Sequence, residues 1–355
     1  MADPTQTANP TADASPDAGP DARFTALEAF VESALGHRAF ATAPASADAS
    51  FRRYFRVTPD TPAFGAATLI AMDAPPPHED CRPYVQVAAL LGEAGVHAPR
   101  VLASDVEHGF LLLTDLGRTT YLDALDAASA QHLYLDAIDA LVRWQKSSRE
   151  GVLPSYDETL LRRELDLFAD WYVARHLGHT LATSERATLE RTFAAVLANN
   201  LAQPRVFVHR DYHSRNLMLT TPNPGVLDFQ DAVCGPITYD LVSLLRDAYV
   251  EWSEARQIDW AVRYWEGARG AGLPIHADFG DFWRDFEWMG AQRQLKVLGI
   301  FARLKHRDGK SAYVSDMPRV MRYLRKAVAR YRELAPLVPL LDALEDRASD
   351  AVPVA

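Results

Sequence analysis

Cysteine is nearly absent. Cys81 and Cys234 are the two in 355 residues, and they form no CxxC pair. A disulfide framework and a cysteine-based zinc site are thereby not expected, and a reducing compartment fits. Excess positive charge is missing too. Lys and Arg number 37 against 47 Asp and Glu, for a formal charge of −10, so broad binding to nucleic acid or anionic membrane is not expected. No apolar run approaches the ~18 residues of a membrane span. The chain does not open on a basic segment followed by an apolar one, so no signal peptide is expected and the location reads as cytoplasmic. Lysine is missing altogether before Lys146, so every strong cation of that stretch is an arginine. What remains is ordinary for a globular protein: 48% hydrophobic and 24% charged residues, enough core for one large or two medium domains.

Residues 1–22 are rich in Ala, Asp, Pro and Thr with almost no large apolar side chains, a composition expected to stay disordered. Residues 23–115 read as a β-rich lobe. Phe24, Leu27, Phe30, Val31, Ala34 and Leu35 recur at helical spacing before Gly36. Strand-like runs follow at Phe51 to Val57, Ala67 to Met72, Arg100 to Ser104 and Phe110 to Thr114, with a helix at Arg82 to Glu93. Residues 116–355 read as a helical lobe, with helices near Ser129 to Lys146, Asp157 to His176 and Ser184 to Asn200. Inside it lies a small β-island: Val206 to Val208, Leu217 to Leu219 and Val226 to Leu227. The expected class is α+β, with a small β-rich lobe followed by a larger helical one.

The island carries the chemistry. It reads His209-Arg210-Asp211-Tyr212-His213-Ser214-Arg215-Asn216, then Leu227-Asp228-Phe229-Gln230. Asp211, Asn216 and Asp228 each sit at the end of an apolar run. Singly, such residues are caps and turn formers. Together they match what phosphoryl transfer requires: a carboxylate to orient the attacking hydroxyl, and oxygen ligands for Mg²⁺ on the phosphates. The spacing is that of H-R-D-x-x-x-x-N followed by D-F-G in the protein-kinase catalytic loop. A competing reading takes His209, Asp211 and His213 as metal ligands of a hydrolase, but no second His/Asp cluster accompanies them. Gly309-Lys310-Ser311 resembles the tail of a P-loop, yet the required upstream glycine position is Leu304 and the preceding sequence is helical, which rejects it.

The segments His209 to Asn216, Gly225 to Gln230 and Gly235-Pro236-Ile237-Thr238-Tyr239-Asp240-Leu241 resemble the aminoglycoside phosphotransferase/choline kinase branch of the two-lobed protein-kinase-like fold. Asp48 to Arg56, Met72 to Pro76, Leu111 to Gly117 and Leu227 to Ala232 narrow the resemblance to bacterial anomeric sugar kinases acting on N-acetylmuramate and N-acetylglucosamine in cell-wall recycling. The resemblance implies ATP-dependent phosphorylation of the sugar C1 hydroxyl to the α-1-phosphate, with ATP and Mg²⁺ as cofactors and a sugar as the small-molecule partner. It implies Asp211 as catalytic base, Asn216 and Asp228 as metal ligands, and Asp240 as a brace. It places Ser50 in the nucleotide loop and the backbone of Leu113 to Asp115 against adenine. A monomer or weak dimer is expected. Another acceptor within the same branch, or a non-catalytic ATP-binding protein, stands as the alternative.

Two features depart from the pattern. The third-strand lysine that grips phosphate is absent, leaving Arg52, Arg53 and Arg56 as candidate cations; on alternation, Arg53 points opposite to the other two. A Gly-rich cover is replaced by Ser46-Ala47-Asp48-Ala49-Ser50. For the sugar, His213, Arg215, Gln230 and Asp231 are candidates, with Tyr239, Trp252, Trp283 and Trp288 as candidate stacking surfaces; the helical spacing of the tryptophans favours a core. A lactyl carboxylate would select Arg215 or Arg293.

Overall fold

The computed structural model describes residues 22–47, 51–76 and 78–350. The expected tail therefore lies, but for its last residue, outside the described residues, as does Ser50. The chain forms two compact units. One takes residues 22–81 and 101–115, the other 82–100 and 116–350.

In the first unit, α1 (Ala22–Leu35) precedes β1 (Phe40–Ala47), β2 (Arg53–Pro59), β3 (Leu69–Asp73), β4 (Val101–Asp105) and β5 (Phe110–Thr114). The strands form one antiparallel sheet in the order β1-β2-β3-β5-β4. Period-two alternation sends Val57, Leu69, Ala71, Phe110 and Leu112 to the face covered by Leu27 and Val31 of α1. Each fully buried leucine there stabilises the unit by about 2 kcal/mol. β1 was not among the expected strands: Phe40-Ala-Thr-Ala-Pro-Ala-Ser-Ala offers small residues and a proline instead of β-branched ones. It forms because pairing with β2 satisfies its backbone, with a register shift between Pro44 and Ser46 that accommodates the proline. Phe51, expected to open β2, lies before the strand, 65% exposed and stacked on His78 with ring centroids 4.9 Å apart.

Asp73 at the end of β3 is buried and neutralised by two arginines, Arg23 (2.7 Å from Nε) and Arg53 (2.7 Å from Nη2). The β4–β5 turn depends on Gly109. Its φ is +75°, and a Cβ there would lie 2.0 Å from the Ala74 carbonyl oxygen. Gly109→Ala therefore adds backbone strain and an overlap that moves the Ala74 N–H off the Gly109 carbonyl, a 2.8 Å bond. The expected loss is about 3 kcal/mol, read as a lowered urea midpoint.

The second unit begins with α2 (Arg82–Glu93), matching the expected helix, and continues with α3 (Tyr121–Ala124), α4 (Ala130–Lys146), α5 (Glu158–Leu167) and α6 (Thr183–Ala202). The stretch expected as one helix to His176 changes to a π-helix at Phe168. There α9 (Phe279–Asp308) passes so closely that a Cβ on Gly299 would meet the Leu167 carbonyl at 2.4 Å. The island follows as β6 (Arg205–Val208), β7 (Leu217–Met218), β8 (Gly225–Val226) and β9 (Val233–Pro236), with β6 paired to β9 and β7 to β8. Then come α7 (Tyr239–Leu245), α8 (Glu254–Gly270), α9 (Phe279–Asp308), α10 (Met317–Arg330) and α11 (Val338–Asp350). The 30-residue α9 is capped by Asp278, whose carboxylate accepts from the N–H of Gly280 and Asp281. It ends on Gly309 at φ +69°. The P-loop-like tail is thus a helix C-terminus.

Candidate active site

The loop 209–216 joins β6 to β7 and is fastened from α7. The Asp240 carboxylate accepts from the N–H of His209 (2.6 Å) and Arg210 (2.9 Å). Asp247, seven residues on, accepts from the N–H of Ser214 (2.9 Å). Two buried aspartates thereby hold both ends of the loop. His209 is buried. Its Nδ1 accepts from the Asp211 N–H at 3.3 Å, and burial lowers its pKa to about 4, so it is a neutral structural group. Among the described residues no three His, Cys, Asp or Glu side chains converge as metal ligands. His209 thus braces the loop, and the metallohydrolase reading has no ligand set.

Arg210 stands at φ +79°, a conformation costing about 1–2 kcal/mol for a residue with a Cβ. Asp240 at its N–H and Glu164 at its guanidinium (2.6 Å) over-determine it. Glu164 also binds Lys296 at 3.0 Å and accepts from the Tyr156 hydroxyl. Burial alone would raise the Glu164 pKa, but Lys296 and Arg210 outweigh it and keep the carboxylate ionised. Asp211 follows the same logic. Its burial is a raising influence, overcome by Lys296, His213, Arg210 and Arg293, so its pKa is lowered and it presents a carboxylate at neutral pH.

Asn216 and Asp228 converge. Asn216 Nδ2 donates to the Asp211 carbonyl (3.0 Å) and to Asp228 Oδ2 (3.2 Å), while Gln230 Nε2 donates to Asp228 Oδ1 (2.8 Å). Asp228 sits at φ +62°, a left-handed position that Asp tolerates. Two oxygen-bearing side chains within hydrogen-bonding distance form a small, hard donor set. That suits Mg²⁺, which takes few protein ligands and completes its shell with water and phosphate oxygens. The loop thus offers a carboxylate for a hydroxyl beside oxygen donors for a divalent ion, the pairing that phosphoryl transfer uses.

A family model, "Phosphotransferase enzyme family", matches residues 42–283. The chain belongs to this phosphotransferase family. Among curated relatives, an N-acetylmuramate/N-acetylglucosamine kinase of Pseudomonas aeruginosa is 57% identical over 85% of this chain and 88% of its own. One of Neisseria meningitidis is 50% identical over 89% and 94%. Among solved structures, a choline/ethanolamine kinase family protein from Mesorhizobium loti aligns with a TM-score of 0.59 at 15% identity, over 90% of this chain and 99% of that one. The gentamicin–APH(2")-IIa complex aligns with 0.56 at 12%, over 86% and 97%. The fold of this phosphotransferase is accordingly the two-lobed protein-kinase-like one, a β-rich unit and a helical unit.

The other residues singled out in the sequence fall as follows. Arg53 pairs with Asp73, and Arg56 binds Asp115 through Nε (2.5 Å) and Nη2 (3.1 Å). Arg52 pairs with Glu79 at 2.9 Å. Leu113 is buried in β5. His213 lies edge-on to Tyr249, and Arg215 stacks on the same ring, its Cζ 3.8 Å from the centroid. Asp231 is exposed, with its carbonyl 3.5 Å from Arg210 Nη1. Tyr239 and Trp288 are core residues, and Trp252 donates to the Tyr134 hydroxyl at 2.9 Å within an aromatic cluster. Gln230, read as a sugar candidate, donates to Asp228. Asp247, Glu164 and Lys296 were missed. Their only sequence signal is a charge in an otherwise apolar stretch, where an unpaired charge is costly.

Proposed function

We propose that this phosphotransferase uses ATP to phosphorylate the anomeric C1 hydroxyl of N-acetylmuramate and N-acetylglucosamine, giving the α-1-phosphate for reuse of cell-wall sugar. The observation that carries the reading is the Asp211–Asn216–Asp228 arrangement in a chain 57% identical to a kinase of that name. The cytoplasm is its proposed location, in keeping with two free cysteines. Residues 23–115 are assigned to the nucleotide, with the backbone of Leu113 to Asp115 facing adenine and Ser50 and Arg56 on the phosphate side; Arg53, the other arginine considered for it, lies on the opposite face of β2, sharing Asp73 with Arg23 of α1.

Asp211 orients the C1 hydroxyl and takes its proton as the new O–P bond forms; the bond from the γ-phosphorus to the bridging oxygen breaks, and ADP leaves with the electron pair. Mg²⁺, when bound, neutralises charge on the phosphate oxygens. Asn216 Oδ1 and the Asp228 carboxylate would hold it, and Gln230 keeps Asp228 oriented. His213 and Arg215 are assigned to the sugar, with Asp231 at its rim.

The test is Mg²⁺-ATP-dependent ADP release with N-acetylmuramate, N-acetylglucosamine, glucose, galactose, choline and kanamycin. Turnover is expected on the two N-acetylated sugars and not on their 1-deoxy analogues. Turnover confined to choline or kanamycin would overturn the acceptor while keeping the phosphotransferase.

A further inference from the structure

Three cationic side chains are almost fully buried among the described residues: Arg246, Arg293 and Lys296. Two have carboxylates. Arg246 binds Glu287 at 3.0 Å and Lys296 binds Glu164 at 3.0 Å. Arg293 makes no hydrogen bond or ion pair with any described residue; it is 3% exposed, and its Nη1 is buried without a partner. A buried cation in that state disfavours the folded protein unless an anion joins it. Its position says where that anion sits. Lys296 lies three residues on, on the same face of α9, and reaches the catalytic loop through Glu164 and Arg210. The charge of Arg293 acts on Asp211, His213, Asp240 and Tyr249, the groups around that loop.

We propose that Arg293 is a catalytic residue that hydrogen-bonds the phosphoryl group as it passes from ATP to the acceptor beside Asp211. The inference rests on the sugar-kinase reading above. The charge balance points the same way. Transfer brings a polyanion up to the carboxylates of Asp211 and Asp228, and no lysine occurs before Lys146 to offset it. Arg52, Arg53 and Arg56 are each paired with a carboxylate. A guanidinium whose charge acts on Asp211 can supply positive charge to the transferring oxygens, as an arginine supplied in cis does in other phosphoryl-transfer enzymes.

The rival ligand is the lactyl carboxylate of N-acetylmuramate. A buried arginine committed to that group would stand unpaired whenever N-acetylglucosamine bound, and acceptance of both sugars argues against it. The phosphoryl group is common to both reactions. Arg215, exposed and stacked on Tyr249, is the better placed of the two arginines to meet a carboxylate at the sugar rim.

The experiment compares wild type with Arg293→Gln, Arg293→Lys and Arg293→Ala on both sugars, together with acceptor-independent hydrolysis of ATP. Arg293→Gln is expected to lower kcat by about 10³-fold on both sugars in equal proportion, with an unchanged or higher thermal midpoint and little change in sugar KM. Arg293→Lys is expected to keep part of the rate, and added guanidinium to restore part of the rate of Arg293→Ala. A loss confined to N-acetylmuramate would make Arg293 a carboxylate reader, and an unaltered kcat would remove it from the chemistry. A lowered midpoint with no guanidinium rescue would make it structural. Should wild type turn over neither sugar, the acceptor reading fails by itself. The slow hydrolysis then decides Arg293, which must still lower it.

Discussion

Asp211→Asn is expected to reduce kcat by about 10⁴-fold, to the background of the ADP-release assay, while ATP still binds. General-base catalysis contributes about 10²–10⁴-fold, and the same side chain also orients the acceptor. Asn keeps the shape and can still hydrogen-bond a hydroxyl, but it cannot receive its proton. The loop should survive the change, because its fastenings are elsewhere: Asp240 on the N–H groups of His209 and Arg210, and Asp247 on that of Ser214. Some stability should be lost at neutral pH. The Asp211 pKa is lowered in the folded protein, so its ionised form contributes stability above the ordinary value of 3.8 and loses it as pH falls. The variant gives up that contribution but leaves Glu164 to hold Arg210 and Lys296. A thermal midpoint within a few degrees of wild type, with kcat at background, is the expected pair of results. Turnover above a tenth of wild type would remove Asp211 from the base role.

The convergence of Asp211, Asn216 and Asp228 was legible in the sequence because it depends on local spacing. His209-Arg210-Asp211, Asn216 five residues later and Asp228 twelve after that lie on short strands and tight turns, and fixed spacing becomes fixed geometry there. The order of a β-rich lobe and a helical lobe was legible for the same reason, since period two gives way to period 3.6 near Gly117. What stayed hidden depends on distant parts of the chain. β1 has poor strand propensity and is created by its neighbour β2. The missing side chain at Gly299, which lets α9 close on Leu167, gave no sign that a regular helix would widen to a π-helix. Glu164 and Lys296 meet across 132 positions of sequence, and nothing in either local pattern announces the partner. The tryptophans show the converse. Helical spacing already favoured the core for Trp288, and its burial agrees.

Asp240 makes the protein's stability depend on pH in an unusual direction. Burial raises its pKa from 3.8 to about 7, against the pull of the two loop N–H groups that favour the ionised form. A carboxyl whose folded pKa lies above its unfolded one stabilises the fold fully below the unfolded value, and that stability is lost as pH rises towards 7. The interval from 3.8 to about 7 corresponds to about 4 kcal/mol, with a slope approaching about 1.4 kcal/mol per pH unit. His209, whose N–H the same carboxylate accepts, runs the other way. Its pKa is lowered to about 4 by burial, so its contribution is present above the ordinary 6.5 and lost as pH falls towards 4. The two largely cancel in wild type between pH 4 and 6.5. Asp240→Asn removes one of them. Urea denaturation of wild type and Asp240→Asn at pH 5, 6, 7 and 8 should show the variant gaining on wild type by about 1.4 kcal/mol per unit from pH 5 to 6, with the gain levelling off above 7. A constant difference across that range would mean that Asp240 is ionised throughout. Activity should move the opposite way. Asn offers one acceptor oxygen where the carboxylate offers two, so one of the His209 and Arg210 N–H groups is left unpaired. The fastening of the loop at the strained Arg210 is thereby loosened, and kcat should fall by about 10²-fold at pH 8, where the fold itself has gained. That opposition of stability and rate in one substitution is the signature of a buried charge kept for the loop it holds.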